Sequence, residues 1–140
     1  MKLTTKSEYT LILLLALSRK TRQKNNKSKQ ILVHLEDLCT ETGAPFKYAE
    51  HLFQILKQRG IVKSKRGSSG GYLLAKETKD ITLADIVRMM DGALAPTESV
   101  SKYFFSHTPI EKEKKLLKVF KDIRDHISKK MESTTLEDLV

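Results

Sequence analysis

The chain has 140 residues, 39 % hydrophobic and 31 % charged, with 26 basic against 17 acidic side chains and a net charge of +9. This length holds one domain, or one domain with an appended element, and a single cysteine excludes a disulfide framework, a zinc ribbon or a cysteine-held cluster built by one chain, which fits a cytoplasmic setting. The longest apolar run, Leu11–Leu17, is seven residues, far short of the roughly 20 that cross a bilayer; Glu8 and Ser18-Arg19-Lys20 argue against a secretion signal after Lys2 and Lys6, so no membrane is expected.

Residues 7–19 are expected to form a buried helix. Tyr9, Ile12, Leu13, Ala16 and Leu17 share a stripe, and Leu11, Leu14 and Leu15 widen it until little polar face remains. Such a helix needs cover on more than one side, from a second subunit or a C-terminal helix. Arg19–Lys29 brings six cations with no acid and no apolar residue, which predicts a loop, either a solvated insertion or an accessory phosphate contact. Ile31-Leu32-Val33 is a short strand candidate. Glu36–Thr42 then predicts a short helix with Leu35, Leu38 and Cys39 on one face, stopped by Gly43.

Pro45 suits the first turn of the next helix, where Ala49, Leu52, Phe53 and Leu56 recur at helical spacing up to Gly60. The period then changes. Ile61-Val62 and Tyr72-Leu73-Leu74 are apolar runs around Gly67-Ser68-Ser69-Gly70-Gly71, the pattern of a hairpin with a glycine-rich turn. Two short helices followed by a basic hairpin make a winged helix-turn-helix, a motif that places its second helix in the major groove of DNA. The early residues of that helix, Pro45, Phe46, Lys47, Tyr48 and Glu50, with His51 and Gln54 one turn on, are the candidate base-edge and phosphate contacts. For Glu50 a pairing within its own helix remains open, and for His51 a plain surface position.

Lys57, Arg59, Lys63, Lys65 and Arg66 place five cations in ten residues without an acid. Lys65, Arg66 and the small residues Gly67, Ser68 and Ser69 let backbone and an arginine enter a narrow groove together, where negative potential concentrates. Lys6 and Lys57 complete the candidate DNA-binding set. Residues 1–90 carry 17 basic and 8 acidic side chains, whereas residues 91–140 carry 9 of each, so the whole excess lies with the helix and hairpin.

Thr82 or Asp80 can cap a helix through Leu83, Ile86, Val87 and Met89-Met90, the methionines as core filler, ended by Asp91-Gly92. Residues 93–108 lack a period and are expected to be a loop. Pro109 is expected to open a long helix to about Met131, in which Leu116, Phe120, Ile123 and Ile127 fall in a 4-3-4 pattern, with Ile110 and Leu117 near it. This stripe is the candidate homodimer seam, an intramolecular strut being the other reading. Thr134–Leu139 reads as a capped turn packing back on the body. The expected fold is therefore mainly α with a small β-wing: a winged-helix DNA-binding domain over residues 1–91, a loop over 92–108, and a long dimerisation helix with a C-terminal turn over 109–140.

Met1–Tyr9, Tyr48–Phe53, Arg66–Leu74 and Thr134–Leu139, in that order, resemble the Rrf2 family of bacterial winged-helix transcriptional regulators of the IscR, NsrR and CymR types. The resemblance covers nearly the whole chain, with the basic segment near residues 20–29 as an insertion. It implies a homodimer on a partly palindromic operator, Tyr48 and Glu50 on the recognition helix, and Arg66 leading the wing into the minor groove. Many relatives hold an iron–sulfur cluster with three cysteines in the loop before the long helix. Here Ser99 stands about where the first would be and the others are missing, leaving only His107 and Glu8 as ligand-type residues. Hydroxyls do not replace thiolates in such clusters, so no metal or other cofactor is expected. Sensing then falls to Cys39 as a redox thiol, against its structural burial among Leu35 and Leu38, or to a regulatory protein partner such as the resemblance to the CymR branch implies.

The expected function is a transcription repressor that binds double-stranded DNA. The alternative is a winged-helix module that binds a protein or structured RNA without operator specificity. His34, His51, His107 and His126 are scattered without nucleophile–base or metal-ligand spacing, so no enzymatic activity is expected.

Overall fold

The computed structural model describes residues 1–23 and 31–140. Its elements are α1 (Thr5–Gln23), α2 (Leu35–Thr42), α3 (Phe46–Gln58), β1 (Val62–Lys65), β2 (Gly71–Leu74), α4 (Leu83–Asp91) and α5 (Lys114–Ser133), with single 3-10 turns at Thr78–Asp80, Glu98–Val100, Pro109–Lys112 and Glu137–Leu139. The strands pair antiparallel, Val62 opposite Leu74 and Lys65 opposite Gly71. Mainly helical, with a two-stranded wing and a long C-terminal helix, the fold is the one the periodicity predicts.

One core gathers Leu13, Leu14, Leu17, Leu38, Leu52 and Phe53, all with no exposed surface, from α1, α2 and α3. Phe53 reaches the wing by an edge-on contact with Tyr72, ring centroids 4.7 Å apart. A second cluster of Ala84, Val87 and Leu94 is covered by Leu3, Leu11, Ile127 and Met131, so α5 closes over α4 within the chain. Leu136 is wholly buried; its N–H donates to the Ile81 carbonyl at 2.9 Å, and Leu83 N–H donates to Thr134 O at 2.9 Å. The C-terminal turn thus packs back on the body, as its sequence predicts. Thr82 caps α4 through a reciprocal box with Asp85, each backbone N–H bonded to the other's side chain at 3.0 and 3.1 Å.

Several expectations are corrected. Arg19–Gln23 is helix rather than loop, because α1 continues where Arg19 and Lys20 pair with Glu41 at 3.3 and 3.2 Å and Arg22 donates to the Val140 carbonyl at 3.1 Å. The rest of the basic segment, residues 24–29, lies outside the described residues. Ile12, expected on the buried stripe, is 39 % exposed. Ile31-Leu32-Val33 makes one bridge, Val33 to Tyr72, rather than a strand. Pro45 caps α3 with extended backbone (ψ 131°) instead of entering its first turn, its carbonyl accepting from Ala49 N–H at 2.9 Å. The expected helix from Pro109 is split: Glu113, at φ −108° and ψ 88°, separates a 3-10 turn from α5. Thr108 and Glu111 close that first turn on itself, Thr108 N–H bonding the Glu111 carboxylate at 3.1 Å.

Candidate nucleic-acid interface

The helix-turn-helix is built by local chemistry. Gly43 closes α2 with its N–H on the Cys39 carbonyl at 2.8 Å, and the Ala44 N–H, left over in the turn, donates to Thr42 Oγ1 at 3.3 Å. α3 then buries Ala49, Leu52, Phe53 and Leu56, which obliges the other face to look outward. That face carries Phe46, Lys47, His51, Gln54 and Lys57 in the open, with Glu50 and Tyr48 half-buried. Lys47 Nζ lies 3.6 Å from Glu50 Oε1, so the pairing of Glu50 within its helix is present, and its exposure makes it weak enough to exchange for another partner. Tyr48 meets Tyr9 edge-on at 5.7 Å, tying the first turn of α3 to α1. Lys57, in the last turn, stands roughly 16 Å along the axis from Phe46.

The wing projects beside this face. Lys63, Lys65, Arg66, Gly67, Ser68 and Ser69 are all exposed, and none of the basic ones is in an ion pair among the described residues. Two glycines are sterically required. A Cβ on Gly70 would fall 2.1 Å from the Lys65 carbonyl oxygen, and one on Gly71 2.6 Å from that of Val33. The second contact lets Val33 and Tyr72 exchange backbone bonds at 2.9 and 2.8 Å, which anchors the hairpin to the core. Lys6 is half-buried near Asp91, whose carboxyl is raised by burial but lowered by more through bonds from Thr4 and the charge of Lys6, a net depression.

The loop over residues 93–108 contains hydroxyls where a cluster would need thiols. Ser99 is buried and accepts from Thr108 Oγ1. His107 Nδ1 is 3.0 Å from Glu111, and Arg124 ties the loop to α5 by donating to the Val100 carbonyl at 2.8 Å. Cys39 is half-buried on α2. Burial first, and then the charge of Glu36, push its thiol up, which holds it protonated. Two features of this half escaped sequence reasoning. Val119, 53 % exposed, joins Leu116 and Ile123 on the open face of α5, and its signal was the three-residue step from Leu116. Tyr103, Phe104 and Phe105 are three successive exposed aromatics whose loop has no periodicity to reveal them. Phe120 and Ile127 are half-buried, Ile127 against the chain's own α4 cluster.

Residues 3–140 match the family described as Rrf2, iron-dependent transcriptional regulator. The HTH-type transcriptional regulator CymR of Bacillus subtilis is 32 % identical, over 99 % of this chain and 89 % of its own length. IscR of Photorhabdus laumondii is 28 % identical, over 100 % and 79 %. The solved structure of CymR, the global cysteine regulator of B. subtilis, superposes with a TM-score of 0.75 at 30 % identity, over 99 % of this chain and 95 % of that one. No helix among the described residues is long and apolar enough to cross a membrane.

The iron in the family's description does not fit these residues. The chain has one cysteine, on α2 and apart from the loop, and no group of three His, Cys, Asp or Glu side chains converges among the described residues. Soft clusters need several thiolates, and Ser99, Thr108, His107 and Glu111 are already bonded to one another in pairs. With its winged helix-turn-helix and a family match over nearly its whole length, the chain belongs to the Rrf2 family and is a DNA-binding transcriptional regulator rather than an enzyme.

Proposed function

We propose that the chain is a repressor that binds a partly palindromic operator as a homodimer, α3 in the major groove and the wing in the minor groove of each half-site. The observation that carries this reading is the pairing of an open α3 face with Lys63, Lys65 and Arg66, which are exposed and in no ion pair among the described residues, on a hairpin with a bare tip. Cations supply affinity by neutralising phosphates, and Arg66 with Lys47, Tyr48, Glu50 and Gln54 supplies sequence preference. Residues 1–91 serve as the DNA-binding unit, 92–108 as the sensor position and 109–140 as the dimer seam, working in the cytoplasm.

The seam is supported by Leu116, Val119 and Ile123, which leave an apolar face of α5 uncovered, 41 to 53 % exposed. Two half-sites one helical turn apart, about 34 Å, require two copies. Repression follows from occupancy, since a dimer seated across an operator excludes other proteins from the same grooves.

The test is selection of duplexes from a random pool, then titration of the best sequence and of random DNA across a salt series. A repressor of this kind selects a two-fold symmetric site and binds it about 10³-fold or more tighter than random duplex. Arg66→Ala should weaken the selected site by about 1–3 kcal/mol while sparing random DNA. Equal loss on both would reduce Arg66 to a phosphate contact, and failure to select any sequence would favour a module without operator specificity.

A further inference from the structure

A cleft of about 620 Å³ opens where the base of the wing meets α4 and the loop behind it. Its charges do not balance. Arg59, Lys76 and Arg88 line it against one carboxylate, Asp85, and that carboxylate already accepts the Thr82 N–H at 3.0 Å. Arg88 is held in place by Glu132 and by the Tyr103 ring, 5.0 Å from its guanidinium carbon. Arg59 and Lys76 are exposed, and neither is in an ion pair among the described residues.

The rest of the lining is apolar. Ile61, Met89 and Phe104 contribute to it. Phe104 is positioned rather than loose: its N–H donates to Ser101 Oγ at 3.0 Å and its ring lies over Gly92. A volume of this size, with apolar walls and a few convergent charges, matches the usual build of a small-molecule site. DNA phosphate is the other anion such cations attract. Arg59, however, closes the C-terminal end of α3, roughly 20 Å along the axis from the Phe46 end, and Ile61 bonds to Ala75 at the hairpin base, away from its tip.

We propose that this cleft binds a small organic anion, its carboxylate or sulfonate between Arg59 and Lys76 and a flat apolar body against Met89 and Phe104. The role this gives the cleft rests on the DNA-binding reading above. A ligand there touches the end of α3, the base of the wing, α4 and the loop at once, and so can shift the recognition helix against the wing, as an effector must.

The test is a fluorescence titration of the full chain, free of DNA, with 8-anilinonaphthalene-1-sulfonate, an aromatic body bearing one sulfonate. It is repeated on Arg59→Ala/Lys76→Ala, on Phe104→Ala, and on Lys118→Ala/Lys121→Ala as a charge-matched control on α5. One saturable site per chain is expected, weakened about tenfold or more by either cleft variant and unaltered in the control. Inorganic phosphate at matched ionic strength should displace the probe poorly, because it lacks the apolar body. Binding unchanged in the cleft variants, or lost equally in the control, overturns the proposal. Arg59→Gln/Lys76→Gln replaces the alanine pair if circular dichroism shows that pair misfolded. The same proteins are then titrated with duplex DNA. Cleft variants that keep the parent's DNA affinity support a separate site; weakened DNA binding with intact probe binding assigns the cations to phosphate and overturns it. A parent that binds no duplex refutes the DNA reading alone, since the probe titration still decides the cleft.

Discussion

Ile123→Asp tests the dimer seam most directly. Ile123 lies near the middle of α5 and is 41 % exposed, beside Leu116 at 43 % and Val119 at 53 %. Burying such a side chain completely is worth about 1.5–3 kcal/mol, so covering the open part of each gives roughly 1 kcal/mol. A two-fold interface counts every residue twice, and the three together supply roughly 6 kcal/mol. Ile123→Asp removes roughly 2 kcal/mol of burial over both copies and adds two carboxylates to be desolvated, about 4 kcal/mol in all, or on the order of 10³ in the dimer constant. Sedimentation equilibrium around the parent's dissociation constant reads this directly. Circular dichroism should stay near the parent's, because within one copy the side chain already faces solvent, whereas Tm falls only by the part that dimerisation supplied. A variant whose dimer constant stays within about threefold of the parent, or a monomeric parent, would refute the assignment of α5 as the seam.

Leu136→Ala, at a wholly buried side chain, should lower unfolding free energy by about 2–5 kcal/mol in urea titration; a loss well under 1 kcal/mol would mean that the C-terminal turn is not docked in solution. Gly71→Ala sets a Cβ 2.6 Å from the Val33 carbonyl at φ 140°, so the wing must shift: specific DNA binding should fall, with the backbone amide of Tyr72 losing protection from hydrogen exchange. Asp91, which bonds Thr4 at the start of α1, has its carboxyl depressed overall. A depressed carboxyl stabilises the fold above its unfolded pKa, and this contribution disappears as pH falls through the folded value. Asp91→Asn should therefore be less stable than the parent at neutral pH, with the gap narrowing below about pH 4; a gap constant from pH 7 to 3 would count against that bond network. Cys39, its thiol raised by burial and Glu36, should alkylate with iodoacetamide more slowly at pH 8 than free cysteine, and a faster rate would revive it as a redox thiol.

Much of this molecule is written in short-range chemistry, and those parts were legible in the sequence. The α3 period of Ala49, Leu52, Phe53 and Leu56, the change to β-pattern after Gly60, and the cap of α4 at Thr82, one of the two positions expected, each depend on residues within a few positions of one another. Thr134–Leu139 was readable as a docked turn because it carries its own cap, Asp138 accepting from Thr135 N–H at 2.8 Å. The candidate DNA face followed from the same source: once four residues of α3 are buried, helical geometry assigns Lys47, His51 and Gln54 to the other side.

What only the tertiary structure decided are the outcomes of distant competition. Glu41 reaching Arg19 and Lys20 extends α1 through a segment that composition alone marks as loop. Gly70 and Gly71 belong to the hairpin by pattern, yet the need for a bare α-carbon comes from the approach of the Lys65 and Val33 carbonyls. The division of Leu116, Phe120, Ile123 and Ile127 between an open face and the chain's own α4 depends on the angle at which α5 lies. The cleft joins residues from Arg59 to Phe104, brought together by packing alone. Sequence periodicity states which side of an element avoids water; which neighbour covers that side, and what it leaves uncovered, is set by contacts between elements far apart in the chain.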